Sequence, residues 1–103
     1  MNVFKRKSYI TIDDFFRDRE EKPTFIKIDV EGAEIQVLNG MKQLINSGNK
    51  TKIAICTYHK PNDYKDITDY ISGVGMTYST SKNYMLFDDK KPFFRRGLIR
   101  AIR

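Results

Sequence analysis

The sequence predicts an α/β layer fold in which parallel strands are joined by crossover helices and an antiparallel edge closes the C-terminal side. Two features point to it. Apolar runs of strand length, "FIKIDV" and "KIAICTY", alternate with segments whose apolar residues recur every three or four positions. The last quarter, "MTYSTSKNYMLF" and then "GLIRAI", alternates with strand periodicity. At 103 residues, 40% hydrophobic and 13% aromatic, the chain has enough apolar material for one packed domain spanning 1–103.

In "YITIDDFF" the pattern moves from β-branched alternation to a helix start. Thr11 followed three residues later by Asp14 matches the box that satisfies free N–H groups at a helix N-terminus. A strand is therefore expected to feed a short helix that ends before Pro23. Phe25, Ile26, Ile28 and Val30 then form a nearly continuous apolar run, the profile of an interior parallel strand, with Asp29 a polar position at its end. Gly32 marks a turn. Ile35, Leu38, Met41 and Ile45 recur at helical spacing and predict one amphipathic helix, closed near "NSGN" where Gly48 can take a positive φ. "KIAICTY" supplies the next strand. Tyr64, Ile67, Tyr70 and Ile71 mark a further helix stopped by Gly73 and Gly75, and the two remaining segments pair antiparallel at one edge, with a turn near Ser81 to Asn83.

The formal charge of +6 is concentrated at the ends, in Lys5, Arg6 and Lys7 and in Lys90, Lys91, Arg95, Arg96, Arg100 and Arg103. Such an excess attracts anions over long range, but solvated faces account for it more simply than nucleic-acid binding does. In "KKPFFRRGLIRAIR", Phe93 and Phe94 lie between basic groups where they could stack on bases, though aromatics at a strand start are ordinarily core. Nucleic acid is not an expected partner. One cysteine, Cys56, excludes an internal disulfide and, inside an apolar strand, reads as a small buried hydrophobe. No signal peptide and no apolar run of about 18 residues is present, so a cytoplasmic setting without a membrane span is expected.

In open α/β sheets, ligands bind beyond the carboxyl ends of the parallel strands. Asp29, Glu31 and Glu34 follow such an end. A carboxylate inside a strand core costs several kcal/mol unless it is paired or reaches solvent, so Asp29 is expected to face a cleft. Glu31 and Glu34 fall in the first helical turn, where the helix dipole favours negative charge, and that alone explains Glu34. Lys27 could neutralise the cluster. His59, the sole histidine, follows the second apolar strand and is either a general base or an ordinary hydrogen-bonded imidazole. No metal site is expected, because one histidine and no cysteine cluster leave only hard carboxylate ligands.

"ITIDDFF", "FIKIDVEGAEIQVLNGM" and an apolar strand ending in "YHK" together resemble the second half of FkbM-family methyltransferases, S-adenosylmethionine-dependent enzymes with a Rossmann-like fold. The likeness is strongest over residues 9–59. It implies a partial Rossmann-like methyltransferase sheet and O-methyl transfer to a hydroxyl of a sugar or natural product. It also implies a cofactor- or acceptor-facing role for Asp29, a polar role at the cleft for Glu31, and a catalytic role for His59. The family often has an acidic residue before this histidine; here Thr57 takes that place.

The first strand of such a fold, its glycine-rich cofactor loop and the acidic end of its second strand find no counterpart in the sequence. "SGVGMT" follows a helix and precedes a strand, the reverse of a nucleotide-binding loop. The chain therefore reads as the C-terminal portion of a class I methyltransferase-like fold. The open edge of "FIKIDV" would invite self-association, so a homo-oligomer or a complementary methyltransferase chain is an expected partner. A non-catalytic dimerisation or assembly module is the alternative function.

Overall fold

The structure, a computed structural model, describes residues 9–82, 84–87 and 93–103. In chain order it contains α1 (Ile12–Phe16), β1 (Phe25–Ile28), α2 (Glu34–Asn39), α3 (Lys42–Asn46), β2 (Lys52–Cys56), α4 (Asp63–Gly73), β3 (Thr77–Thr80), β4 (Tyr84–Phe87), β5 (Phe93–Arg96) and β6 (Leu98–Ile102). The main sheet has the order β1-β2-β6-β3, and β4 pairs with β5 in a two-stranded sheet. β1 and β2 are parallel, whereas β6 is antiparallel to both β2 and β3. The predicted class, a mixed α/β sheet with parallel and antiparallel parts, is the one observed.

The main core cluster lies on one face of this sheet, and on the other face Ala54 and Cys56 of β2 are also buried. Register aligns Ile28, Ile55 and Ile99 in one row and Ile26, Ile53 and Ala101 in the next. Both rows pack against Leu38, Met41, Leu44 and Ile45 from α2 and α3, and against Ile67 and Ile71 from α4. β6 shows the alternation expected of a strand with one covered face: Ile99 and Ala101 are buried, while Arg100 and Ile102 are exposed. Cys56 is buried, as its apolar setting predicted, and burial pushes its thiol above the usual range.

Four expectations need correction. Residues 9–11 form no strand; Thr11 instead acts purely as a cap, its Oγ1 accepting from the Asp14 N–H at 3.0 Å. β1 is an edge strand of the described sheet rather than an interior one, with Ile28 buried but Phe25 59% and Val30 41% exposed. The C-terminal segments do pair antiparallel at one edge, β6 with the rim strand β3, but β4 leaves this sheet to pair with β5.

The single amphipathic helix is two. The break falls at Gly40 and Met41, and glycine suits the site because a Cβ there would come within 3.1 and 3.2 Å of Thr11 Cβ and Cγ2, just ahead of α1. Asp13 then caps the second piece: its carboxylate accepts from the Gln43 and Leu44 N–H groups at 2.9 and 3.0 Å, while its own N–H donates to the Gly40 carbonyl.

The stacking role considered for Phe93 and Phe94 falls on side chains outside the described residues, as do Lys5, Arg6, Lys7, Lys90, Lys91, Asn83 and the Arg95 side chain. Among the described residues no helix is long and apolar enough to cross a membrane.

Candidate functional site

Because β1 and β2 are parallel neighbours, their carboxyl ends lie side by side, and the residues that follow them meet. Asp29 follows β1 directly. His59 comes three residues after β2, and its Nε2 lies 2.8 Å from Asp29 Oδ1. With the proton on Nε2, the ring donates to the carboxylate. The Tyr58 ring packs against the imidazole at a centroid distance of 4.2 Å with a 40° tilt, and its hydroxyl approaches the same Asp29 oxygen at 3.4 Å. The His59 hydrogen bond, with Tyr58 adding to it, holds the Asp29 carboxyl below its usual range against a smaller opposing effect of desolvation.

The link from β1 to α2 determines what else reaches this point. Glu31 has φ +52° and Gly32 φ +99°, two successive positive values that turn the chain sharply before α2 begins. Glycine suits the second position because its φ is strained for any L side chain. The turn places Glu34, the first residue of α2, beneath His59, with Oε1 3.3 Å from Nε2.

Glu34 is therefore not the solvated first-turn acid that the helix dipole would explain. Its side chain is 1% exposed, and neither carboxylate oxygen has a hydrogen-bond partner among the described residues. The sequence held a signal for this. Glu34 precedes the buried Leu38 by four residues, which puts it on the core stripe of the helix.

The structure thus unites two of the three candidate residues, Asp29 and His59, and adds Glu34. Glu31 stands apart, exposed and without a hydrogen bond or ion pair among the described residues. Lys27 is exposed and forms no ion pair there either, so it does not neutralise the cluster. Thr57, in the place expected for an acid, is buried and donates to the Arg96 carbonyl at 2.6 Å, fastening the end of β2 rather than orienting His59. Asp29, from the neighbouring strand, supplies the acidic partner instead. Next to Val30 an open, largely apolar groove of about 560 Å³ is lined by Tyr9, Ile10, Ala33, Val37 and Gly40.

Polar side chains gathered beyond two adjacent parallel strand ends lie where open α/β sheets bind their ligands. Residues 3–84 match the family model described as the Methyltransferase FkbM domain, and the chain belongs to the FkbM methyltransferase family. It is similar to the hexuronic acid methyltransferase AglP of Haloferax volcanii, with 36% identity over 61 residues that make up 59% of this chain and 24% of that protein. The crystal structure of methyltransferase FkbM from Methylobacillus flagellatus KT matches with a TM-score of 0.58 and 28% identity, over 82% of this chain and 20% of the other. The chain thus spans a quarter or less of the length of these relatives.

Proposed function

We propose that this chain forms the acceptor side of an S-adenosylmethionine-dependent methyltransferase acting on a hydroxyl of a sugar or related natural product. The observation that carries the reading is the convergence of Asp29, His59 and Glu34 beyond the ends of β1 and β2. Methylation of a hydroxyl oxygen requires that the oxygen be oriented and that its proton depart. Asp29, 43% exposed, and His59, 16% exposed, form the part of the cluster that a hydroxyl can reach, and they would orient it and receive the proton. Glu31, at the exposed turn, would contact the acceptor at the rim. The relative's hexuronic acid acceptor is a sugar acid, which supports the substrate class.

The described residues do not by themselves fit the whole cofactor. β1 leads into Asp-Val-Glu-Gly, and among the described residues no glycine-rich turn follows a strand to cradle the cofactor's polar end. We therefore assign to Asp29 only the reacting end of the cofactor, the remainder being held by other segments or by another chain. Calorimetric titration with S-adenosylhomocysteine tests this. Binding that Asp29→Ala weakens is the expected result; binding unchanged by that substitution would overturn the cofactor role of Asp29, and no detectable binding would point to a partner chain as the cofactor's holder.

A second reading, a dimerisation or assembly module, is favoured by the edge of β1 that no described strand covers and by exposed Tyr9, Ile10, Phe25 and Val30 nearby. The partner is a second copy or a complementary methyltransferase chain, in the cytoplasm. Light scattering is expected to show a dimer or larger species, and a strict monomer at high concentration would count against self-association.

A further inference from the structure

We infer that Asp29, Glu34 and His59 form a three-donor site for a divalent first-row metal cation. Asp29 and Glu34 each offer a carboxylate oxygen and His59 a ring nitrogen, and these donor atoms all lie within 4.8 Å of one another.

A count of protons shows why the cluster is incomplete without a cation. His59 Nε2 faces Asp29 Oδ1 at 2.8 Å and Glu34 Oε1 at 3.3 Å, yet an imidazole nitrogen carries one hydrogen at most. That hydrogen serves Asp29. Glu34 is left 1% exposed with both oxygens lacking a hydrogen-bond donor among the described residues, an unfavourable setting for a buried carboxylate. A cation in place of the Nε2 proton satisfies all three groups together.

The spacing is suitable. Metal–donor distances of about 2.1 Å put adjacent donors of an octahedral site about 3.0 Å apart, between the two separations found here. Two carboxylates with one imidazole suit manganese or zinc better than calcium, which takes oxygen ligands alone. Glu34 closes the inner side, and the exposed Asp29 side leaves coordination positions open to a hydroxyl. Cation binding rests on donor geometry alone. Its use, lowering the proton affinity of an acceptor hydroxyl, rests on the methyl-transfer reading above.

The test titrates Mn2+ into the chelator-treated chain and follows the paramagnetic resonance signal of free Mn2+, without cofactor or acceptor, so that its failure is separable from failure of the S-adenosylhomocysteine titration. Saturable one-to-one binding is expected. Glu34→Gln and His59→Ala should each weaken it by about tenfold or more, whereas Glu20→Gln, at an exposed position, should leave it unchanged.

Thermal unfolding without metal gives an independent readout. With a buried carboxylate that lacks a hydrogen-bond donor removed, Glu34→Gln should hold or raise Tm, and Mn2+ should raise Tm more for the wild type than for the variant. Absence of saturable binding at millimolar Mn2+, or wild-type affinity in both site variants, would overturn the assignment. A lower metal-free Tm for Glu34→Gln, together with no Mn2+ effect, would instead make Glu34 a structural partner of a charged His59.

Discussion

Ile55→Ala is expected to destabilise the chain by about 2–5 kcal/mol, a large part of the roughly 5–15 kcal/mol that holds a small domain together. Ile55 is fully buried on β2, with Ile28 beside it on β1 and Ile99 on β6. The helices that cover this row contribute Leu38, Ile67 and Ile71 to the same core. Truncation there loses the transfer free energy of the side chain and leaves a cavity that strands fixed on both sides cannot close. The effect extends to the site, since Ile28 immediately precedes Asp29. Urea unfolding followed by circular dichroism should show a lower midpoint at unchanged slope. Ile102→Ala, on the same sheet but 48% exposed, should stay within about 0.5 kcal/mol of the wild type. Equal effects at the two positions would contradict the assignment of the covered face.

Asp13→Ala is expected to cost about 2–3 kcal/mol, more than its partly exposed position implies. α3 has no side-chain cap of its own, and the Asp13 carboxylate from α1 accepts the Gln43 and Leu44 N–H groups. Alanine would leave both donors at the helix start without that acceptor. It would also remove a negative charge from the positive end of the helix dipole. Asp13→Asn retains one acceptor oxygen and should cost about half as much. The same unfolding measurement decides the matter: an alanine variant as stable as the wild type would mean that Gly40 alone breaks the helix and that Asp13 is incidental.

The chain shows how far local patterns reach. Thr11 and Asp14 announced a helix start, and the bond between them is there. Gly48 and Gly75 announced helix stops, and both have positive φ. β2 was legible because an uninterrupted apolar run admits few environments other than an interior strand, and four of its five residues are buried. β1 carried nearly the same pattern but lies at an edge, because strand composition does not record which neighbours a strand finds. The helix break at Gly40 was invisible for a similar reason. Leu38, Met41 and Ile45 keep helical spacing across it, and the contacts that attend the break, the approach of Thr11 and the reach of Asp13 over some thirty residues, are tertiary.

The candidate site divides in the same way. Asp29 and His59 could be singled out from the sequence because each follows an apolar strand run, where a polar side chain needs solvent or a partner. Glu34 carried a weaker signal, its four-residue spacing from Leu38 on the core stripe, which an ordinary first-turn acid masks until the helix is docked. By itself the sequence determined the class of fold, most of the helix ends, and the polar residues at the strand termini, all of which follow from local periodicity, caps and turn chemistry. The tertiary structure alone decided that β6 enters the sheet beside β2, that Asp13 completes a distant helix, and that Glu34 is buried against His59. These depend on the free energy of burying one surface against another, and no short stretch of chain encodes what will lie opposite it.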